Sequence, residues 1–386
     1  MSVLHTALLV LAIGTLVLYA LSAAAMYFGN RRITVLSDVP PLSGAAPAVS
    51  LIAAARNEES GIERAVRSLL RQNYPNYEVI VVNDRSTDAT GEILERLARD
   101  EKRLRVVTVS ELPPGWLGKN HALHLGAAQA SGEFLVFTDA DVVMEPSVLS
   151  RAVNYTLQRA LDHLAVSPHA EMRGYLLNAL LGMFTLSFNW FVQPWKARDP
   201  KSSKHIGIGA FNLVRASVYR ALGGHEPIRM RPDDDLKLGK LFKSRGYRQD
   251  FVVGASLISV EWYSSLGAMI GGLTKNMFAG VDYRVSTALG SVAALFLIYV
   301  WPFFALFVTG GSVRVVNALV ALTVLAVFAV AAGSMDIPRA CALALPLAAL
   351  LFAWIIIRST TLTIWNGGIE WRGTRYPLKE LRANKL

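Results

Sequence analysis

Three acidic clusters carry the chemistry open to this chain. Asp84 ends the stretch Val81-Val82-Asn83-Asp84, Asp139 and Asp141 flank Ala140, and Asp233, Asp234 and Asp235 form a run. Two carboxylates one residue apart supply hard oxygen ligands that can share a Mg2+ or Mn2+ with a diphosphate. Such an ion offsets charge building on a departing nucleotide. A further acid can act as a general base toward an attacking group. Three adjacent carboxylates repel, so at least one of the run needs a partner or a raised pKa. Each cluster also has a plainer use. Asp84, Ser86 and Asp88 can cap a helix, Asp-x-Asp is common in loops, and acids favour a helix N-terminus.

The first two clusters follow short apolar, β-branched runs, the pattern of strands that deliver carboxylates to one edge of a parallel sheet. Strands are expected over 49–54, 77–82, 105–109 and 134–138. Helices over 61–71, 87–99, 120–130 and 146–159 alternate with them. The first helix repeats apolar residues at Ile62, Ala65, Val66, Leu69 and Leu70, and Pro146 suits the first turn of the last. This alternation predicts an α/β fold with a mostly parallel sheet flanked by helices.

Of 386 residues, 53% are hydrophobic and 18% charged. That is too apolar for an ordinary cytosolic enzyme, so lipid contact is expected. Segment 3–28 is long enough to span a bilayer, and Arg31-Arg32 follow it, which predicts an outside N-terminus and a cytoplasmic continuation. The net charge of +10 fits a face beside anionic lipid. No aromatic-basic module points to nucleic acid. The single cysteine, Cys341, excludes an intramolecular disulfide, as suits a cytosolic domain. Segment 38–48 reads as a linker. Segment 175–195 is apolar and aromatic and is expected to lie on the bilayer. Further apolar stretches at 289–309, 313–332 and 340–357 precede a tail holding Arg358, Arg372, Arg375, Lys379, Arg382 and Lys385. Three crossings would leave that tail outside, so one stretch is expected to be interfacial or re-entrant. The expected layout is a membrane helix at 1–30, a cytoplasmic catalytic domain at 31–286, a membrane region at 287–358 and a basic tail at 359–386.

The stretch 49–59, then Gln72-Asn73-Tyr74-Pro75, then 78–90 closely resembles the opening of family 2 glycosyltransferases, which have the GT-A fold. The resemblance runs over about residues 49–280. The proline often found before Asn-Glu-Glu in that family is Ala here. The resemblance implies a nucleotide-sugar donor, UDP-linked, with Ala54, Arg56, Asn57 and Glu58 lining its pocket and Asp84 meeting uracil or ribose. Asn57-Glu58-Glu59 is equally a plausible helix start. Asp139-Ala140-Asp141 looks like the family's metal-binding DxD element. Asp235 takes the place of the catalytic base and Asp234 that of the acid before it, for a single inverting displacement. Lys119, in Gly115-Trp116-Leu117-Gly118-Lys119-Asn120, can reach the diphosphate or donor sugar, and Trp116 can stack on sugar or acyl chain. Gly209, Gly224 and His225 fall where the family lines the sugar and acceptor side, His225 being equally suited to a structural role.

Membrane-embedded members often carry Gln-x-x-Arg-Trp after the base. Here Lys275 stands near that arginine's place and the glutamine and tryptophan are absent, which argues against processive synthesis. Trp371, Arg372 and Tyr376 resemble the C-terminal end of ceramide glucosyltransferases and could fold over the donor site or rest on headgroups. The whole implies an integral membrane, metal-dependent, inverting enzyme that moves one sugar to a lipid hydroxyl. The rivals are a processive polysaccharide synthase and a polyprenyl-phosphate glycosyltransferase clamping phosphate with Arg229, Arg231 and Lys237. A binding-only membrane scaffold is the remaining rival.

Overall fold

A computed structural model describes residues 2–386, which divide into two units. One holds residues 32–171, 194–262 and 380–386. Its centre is an eight-stranded sheet in the order Thr34–Val35, Gln249–Val253, His163–Ser167, Asn212–Arg215, Phe134–Asp139, Val49–Ala55, Tyr77–Asp84, Leu104–Val109. Every pairing is parallel except those of Asn212–Arg215, which runs against both neighbours. The helices Ile62–Leu70, Thr90–Asp100, Gly118–Ala128 and Val148–Gln158 fill the connections.

Both faces of the sheet are covered, so its strands are apolar on both sides rather than alternately polar. Leu51, Ala53, Val79, Val81, Phe134 and Val136 enter one core, while Ile52, Ile80, Val82, Leu135 and Phe137 enter the other. Register then fixes the site. Ala54 pairs with both Val82 and Asp139, so Asp84 and Asp139 leave the same edge within two residues of each other. A smaller sheet joins Val143–Met144, Ile258–Glu261 and His169–Glu171.

The other unit holds residues up to 31, 172–193 and 263–379. Four of its helical segments, Val3–Asn30, Tyr175–Lys196, Gly311–Ser334 and Arg339–Trp365, are long and apolar enough to cross a membrane. A bent pair, Leu266–Gly280 and Val285–Tyr299, meets at 119° and would be a fifth span if counted as one. Small and hydroxyl side chains let these helices approach. A Cβ on Gly182 would lie 2.6 Å from the Phe328 ring, and Ser359 Oγ accepts from the Phe278 N–H at 3.1 Å while donating to the Thr274 carbonyl. Tyr19 meets Trp190 and Tyr299 edge to face.

This grouping differs from the expected layout. The stretch 289–309 is two helices, broken at Val300, because Pro302 opens Trp301–Val308 and cannot donate back to the preceding turn. The last long helix runs to Trp365, eight residues beyond its expected end at 357. The tail after it is ordered into a hairpin, Gly368–Trp371 with Thr374–Pro377, and a short helix, Leu378–Ala383.

Candidate active site

At the end of Tyr77–Asp84, Arg85 adopts φ 55°, in the left-handed region. Its guanidinium turns back onto Asp84, Nε to Oδ1 at 2.7 Å and Nη2 to Oδ2 at 2.9 Å, and Arg56 stands 3.8 Å from Oδ2. Asp84 is thereby buried and neutralised. The Asn57-Glu58-Glu59 segment is clasped to the loop after Asp84. Asn57 Oδ1 accepts from the Thr87 N–H at 2.8 Å, and Glu58 N–H donates to Thr90 Oγ1 at 2.8 Å. Glu59 N–H donates to Asp88 Oδ2 at 3.1 Å, and Glu59 Oε2 accepts from the Ala89 N–H at 3.0 Å. Asp88 Oδ1 accepts from the Thr90 N–H at 3.0 Å, the capping use of that residue. Asn57 itself sits at φ 54°, a conformation asparagine tolerates better than most.

Asp139 ends the neighbouring strand. Lys119, in the first turn of Gly118–Ala128, reaches its Oδ1 at 2.8 Å and Asp234 Oδ1 at 3.5 Å. Burial opposes the ammonium charge, but Asp139, Asp234 and Asp235 outweigh it and hold the Lys119 pKa above its ordinary value. One residue joins the two remaining acid clusters. Gly209 N–H donates to Asp235 Oδ2 at 2.8 Å, while the Gly209 carbonyl accepts from the Asp139 N–H at 3.0 Å. A Cβ on Gly209 would stand 2.6 Å from Asp139 Oδ2, and one on Gly207 would stand 1.8 Å from the Asp235 carbonyl oxygen. Glycine is required at both because the backbone passes directly against the acids. Lys119, Asp139, Gly209, Asn212, Asp234 and Asp235 line one small cavity together with apolar Leu123, Phe137 and Leu238.

The three adjacent acids have three different fates. Asp233 receives Arg231 bidentately at 2.9 and 3.0 Å, with Lys237 at 3.5 Å. Asp234 is buried beside Lys119. Asp235 opens onto the cavity and accepts from the backbone N–H groups of Gly209 and, at 2.7 Å, Leu236. Burial first, then the neighbouring Asp234, pushes the Asp235 carboxyl up to about 7. Burial also raises Asp234.

Asp141 is pushed up to about 7 by burial, with Asp139 and Glu58 adding to it. A carboxyl destabilised in this way is one a dication would restore to its charged form. Among the described residues no group of three or more His, Cys, Asp or Glu is placed to hold an ion. The donor set therefore fits Mg2+ or Mn2+ only as an ion that two aspartates share with a diphosphate, which is how Mg2+ is commonly held.

The remaining candidates separate. Trp116 lies against His124 and His121, with ring centroids 5.0 and 5.6 Å away, and the next residue, Leu117, donates to the Arg229 carbonyl at 2.8 Å. His225 is buried, its Nδ1 2.6 Å from the Tyr219 hydroxyl and its ring against Phe137, an environment that pushes it down to about 3. That is the structural use of His225, and Gly224 before it turns at φ 61°. Ala54 and Ala140 lie beside the Asp139 strand end. Lys275, Trp371, Arg372 and Tyr376 belong to the helical unit, where the Lys275 ammonium lies 3.6 Å from the Trp371 ring centre. Asn120 gave no signal beyond following Lys119. Its Nδ2 donates to the carbonyls of Ile228 at 2.8 Å and Arg231 at 2.9 Å, holding the approach to the acid run.

Residues 50–223 match the family described as glycosyl transferase family 2. The chain carries a family 2 glycosyltransferase domain. The chain is 26% identical over 257 residues to a 4,4'-diaponeurosporenoate glycosyltransferase of Staphylococcus haemolyticus, covering 66% of this chain and 67% of that protein. It is 27% identical over 260 residues to the enzyme of the same description from Staphylococcus aureus strain USA300, covering 64% and 68%. Its fold is similar to a mannosyltransferase from Pyrobaculum calidifontis solved with GDP-Man and Mn2+, with a TM-score of 0.53 and 19% identity over 93% of this chain and 99% of that one. The family match of this glycosyltransferase covers Asp84, Asp139, Asp141 and Gly209 and ends ten residues before Asp233.

Proposed function

We propose that this glycosyltransferase transfers one sugar from a UDP-linked donor to the hydroxyl of a membrane lipid, with inversion. The observation that carries the reading is the unequal partnering of the acid run. Asp233 is met by Arg231 and Lys237, Asp234 by Lys119, and Asp235 by backbone dipoles at the cavity. Asp235 is the base. Its carboxylate takes the proton from the acceptor hydroxyl as that oxygen attacks the anomeric carbon. The bond from that carbon to the diphosphate oxygen breaks on the opposite face, and UDP leaves with the bonding pair. Asp139 and Asp141 would hold a divalent ion, which when bound supplies Lewis-acid stabilisation of the leaving diphosphate. Lys119 adds a fixed positive charge beside them. Asp84 and the clasped Asn57–Thr90 loops form the nucleotide end.

Several features support a lipid acceptor and a membrane location. Among the described residues, four or five segments are able to cross a bilayer. The relatives are named for diaponeurosporenoate. Arg31-Arg32 after the first apolar helix supports a cytoplasmic catalytic unit. Against a lipid-phosphate acceptor, Arg231 and Lys237 are engaged by Asp233. The deciding assay is UDP release by protein purified in detergent, with UDP-sugars, Mn2+ or Mg2+, and lipids bearing hydroxyl or carboxylate groups. Turnover that requires a hydroxyl lipid and metal, and is lost in Asp235→Asn and Asp141→Ala, is expected. Turnover only with a carboxylate lipid, which needs no base, or only with a phosphate lipid, or chain extension of a polysaccharide, would replace this reading.

A further inference from the structure

The segment Pro227–Arg231 leads into the acid run, and residues distant in sequence hold its backbone from two directions. Asn120 and Leu117 bind the carbonyls of Ile228, Arg229 and Arg231. Asn384 binds the same segment with both ends of its amide. Its Oδ1 accepts from the Met230 N–H at 2.9 Å, and its Nδ2 donates to the Pro227 carbonyl at 2.9 Å. These groups lie three residues apart, and only a side chain with one acceptor and one donor in a fixed plane satisfies both. Lys240, on the helix Asp234–Ser244, donates to the Leu386 carbonyl at 3.0 Å. Residues 380–386 belong by their contacts to the unit that holds the acids, and Leu381 is fully buried there. A basic stretch lying free on lipid headgroups would show none of this.

We infer that Asn384 is a positioning residue for the reaction. It fixes Pro227–Met230, and through that segment sets where Asp235 enters its helix relative to Gly209 and Asp139. Asn384 touches no reacting atom, and the inference rests on Asp235 being the base. Small misplacements of a reacting group are costly, so a loosened segment lowers turnover before it lowers donor binding.

The test compares full-length wild type, Asn384→Ala, Asn384→Asp, Lys385→Ala and Asp235→Asn in detergent. Two readouts are used: hydrogen exchange of peptides spanning residues 225–236, and UDP release with UDP-sugars, Mn2+ and a mixed lipid extract. Asn384→Ala is expected to speed exchange at Met230 and to lower kcat about tenfold, with donor KM within about twofold. Asn384→Asp keeps the acceptor for Met230 and loses the donor to Pro227, so it falls between. Lys385, exposed on the same segment, can become alanine without effect. Unchanged exchange in Asn384→Ala overturns the inference. So does a lowered melting temperature in Asn384→Ala with kcat unchanged, since the side chain then serves packing alone. If Asn384→Ala does not fold, the graded response of Asn384→Asp decides. Full turnover in Asp235→Asn would instead remove the base assignment, leaving the exchange result to stand by itself.

Discussion

Asp84 and Asp235 are both acids at the mouth of the same sheet-based unit, yet they are held in opposite ways. Asp84 is gripped by a bidentate guanidinium with a second arginine nearby. Asp235 is met by two backbone N–H groups. Side-chain cations neutralise an acid and make it a fixed structural or recognition element. Backbone dipoles orient an acid without cancelling its charge, and a crowded, buried setting then raises its affinity for a proton. Under the proposed function, the contrast separates a nucleotide end, built for fixed geometry, from a chemical end, built for proton transfer.

Removing the carboxylate is the harshest way to break that contrast. Asp235→Asn keeps an acceptor for the Gly209 N–H but removes the proposed base, so kcat should fall about a thousandfold, within the range general-base loss produces. The same variant should melt higher. The folded Asp235 titrates at about 7 against an ordinary 3.8, so between those values the folded state binds a proton that the unfolded state does not. Stability is therefore lost as pH rises through that window, and asparagine escapes the loss. A calorimetric melt at pH 8 showing Asp235→Asn less stable than wild type would contradict this. Next in size is Gly209→Ala. Its methyl would sit 2.6 Å from Asp139 Oδ2 on the residue that joins both acids, so turnover should drop about a hundredfold. Normal steady-state kinetics in that variant would break the claimed link between Asp139 and Asp235.

The nucleotide end was the more legible of the two in the sequence. The expected elements from 49 to 159 recur with ends shifted by no more than three residues, because apolar strand runs and helical periodicity there are unbroken. The strands His163–Ser167, Asn212–Arg215 and Gln249–Val253 gave no such signal. They are short, carry His163, Asn212 and Gln249 in their own network, and owe their strand state to neighbours far away in the chain. The site divides likewise. Asp84, Asp139 and Asp235 were visible as residue types at strand ends and in a run. That Gly209 would serve two of them and that Asn384 would return to Met230 depends on contacts between distant segments. No local pattern encodes such contacts.

Acidity offers a gentler test of the chemical end. A base must be ionised to act, and burial with Asp234 alongside holds Asp235 up to about 7. The turnover kcat/KM should therefore rise as pH is raised from 6 to 8 and level above about 7, losing roughly tenfold per unit on the acid side. A flat profile would mean that Asp235 does not carry the rate-limiting proton.

The smallest expected effect sharpens the other end. Arg85→Lys keeps the charge beside Asp84 but cannot make the paired bonds at 2.7 and 2.9 Å. Arginine and lysine are not equivalent where a planar fork meets a carboxylate. Asp84 would then be neutralised but loosely aimed, and the residue at φ 55° would lose the contact that offsets its backbone strain. Donor KM should rise about fivefold with kcat nearly unchanged, because the chemical end is untouched. A fall in kcat with donor KM constant would show that the two ends are not separable, and that Arg85 acts on the reacting centre rather than on the nucleotide.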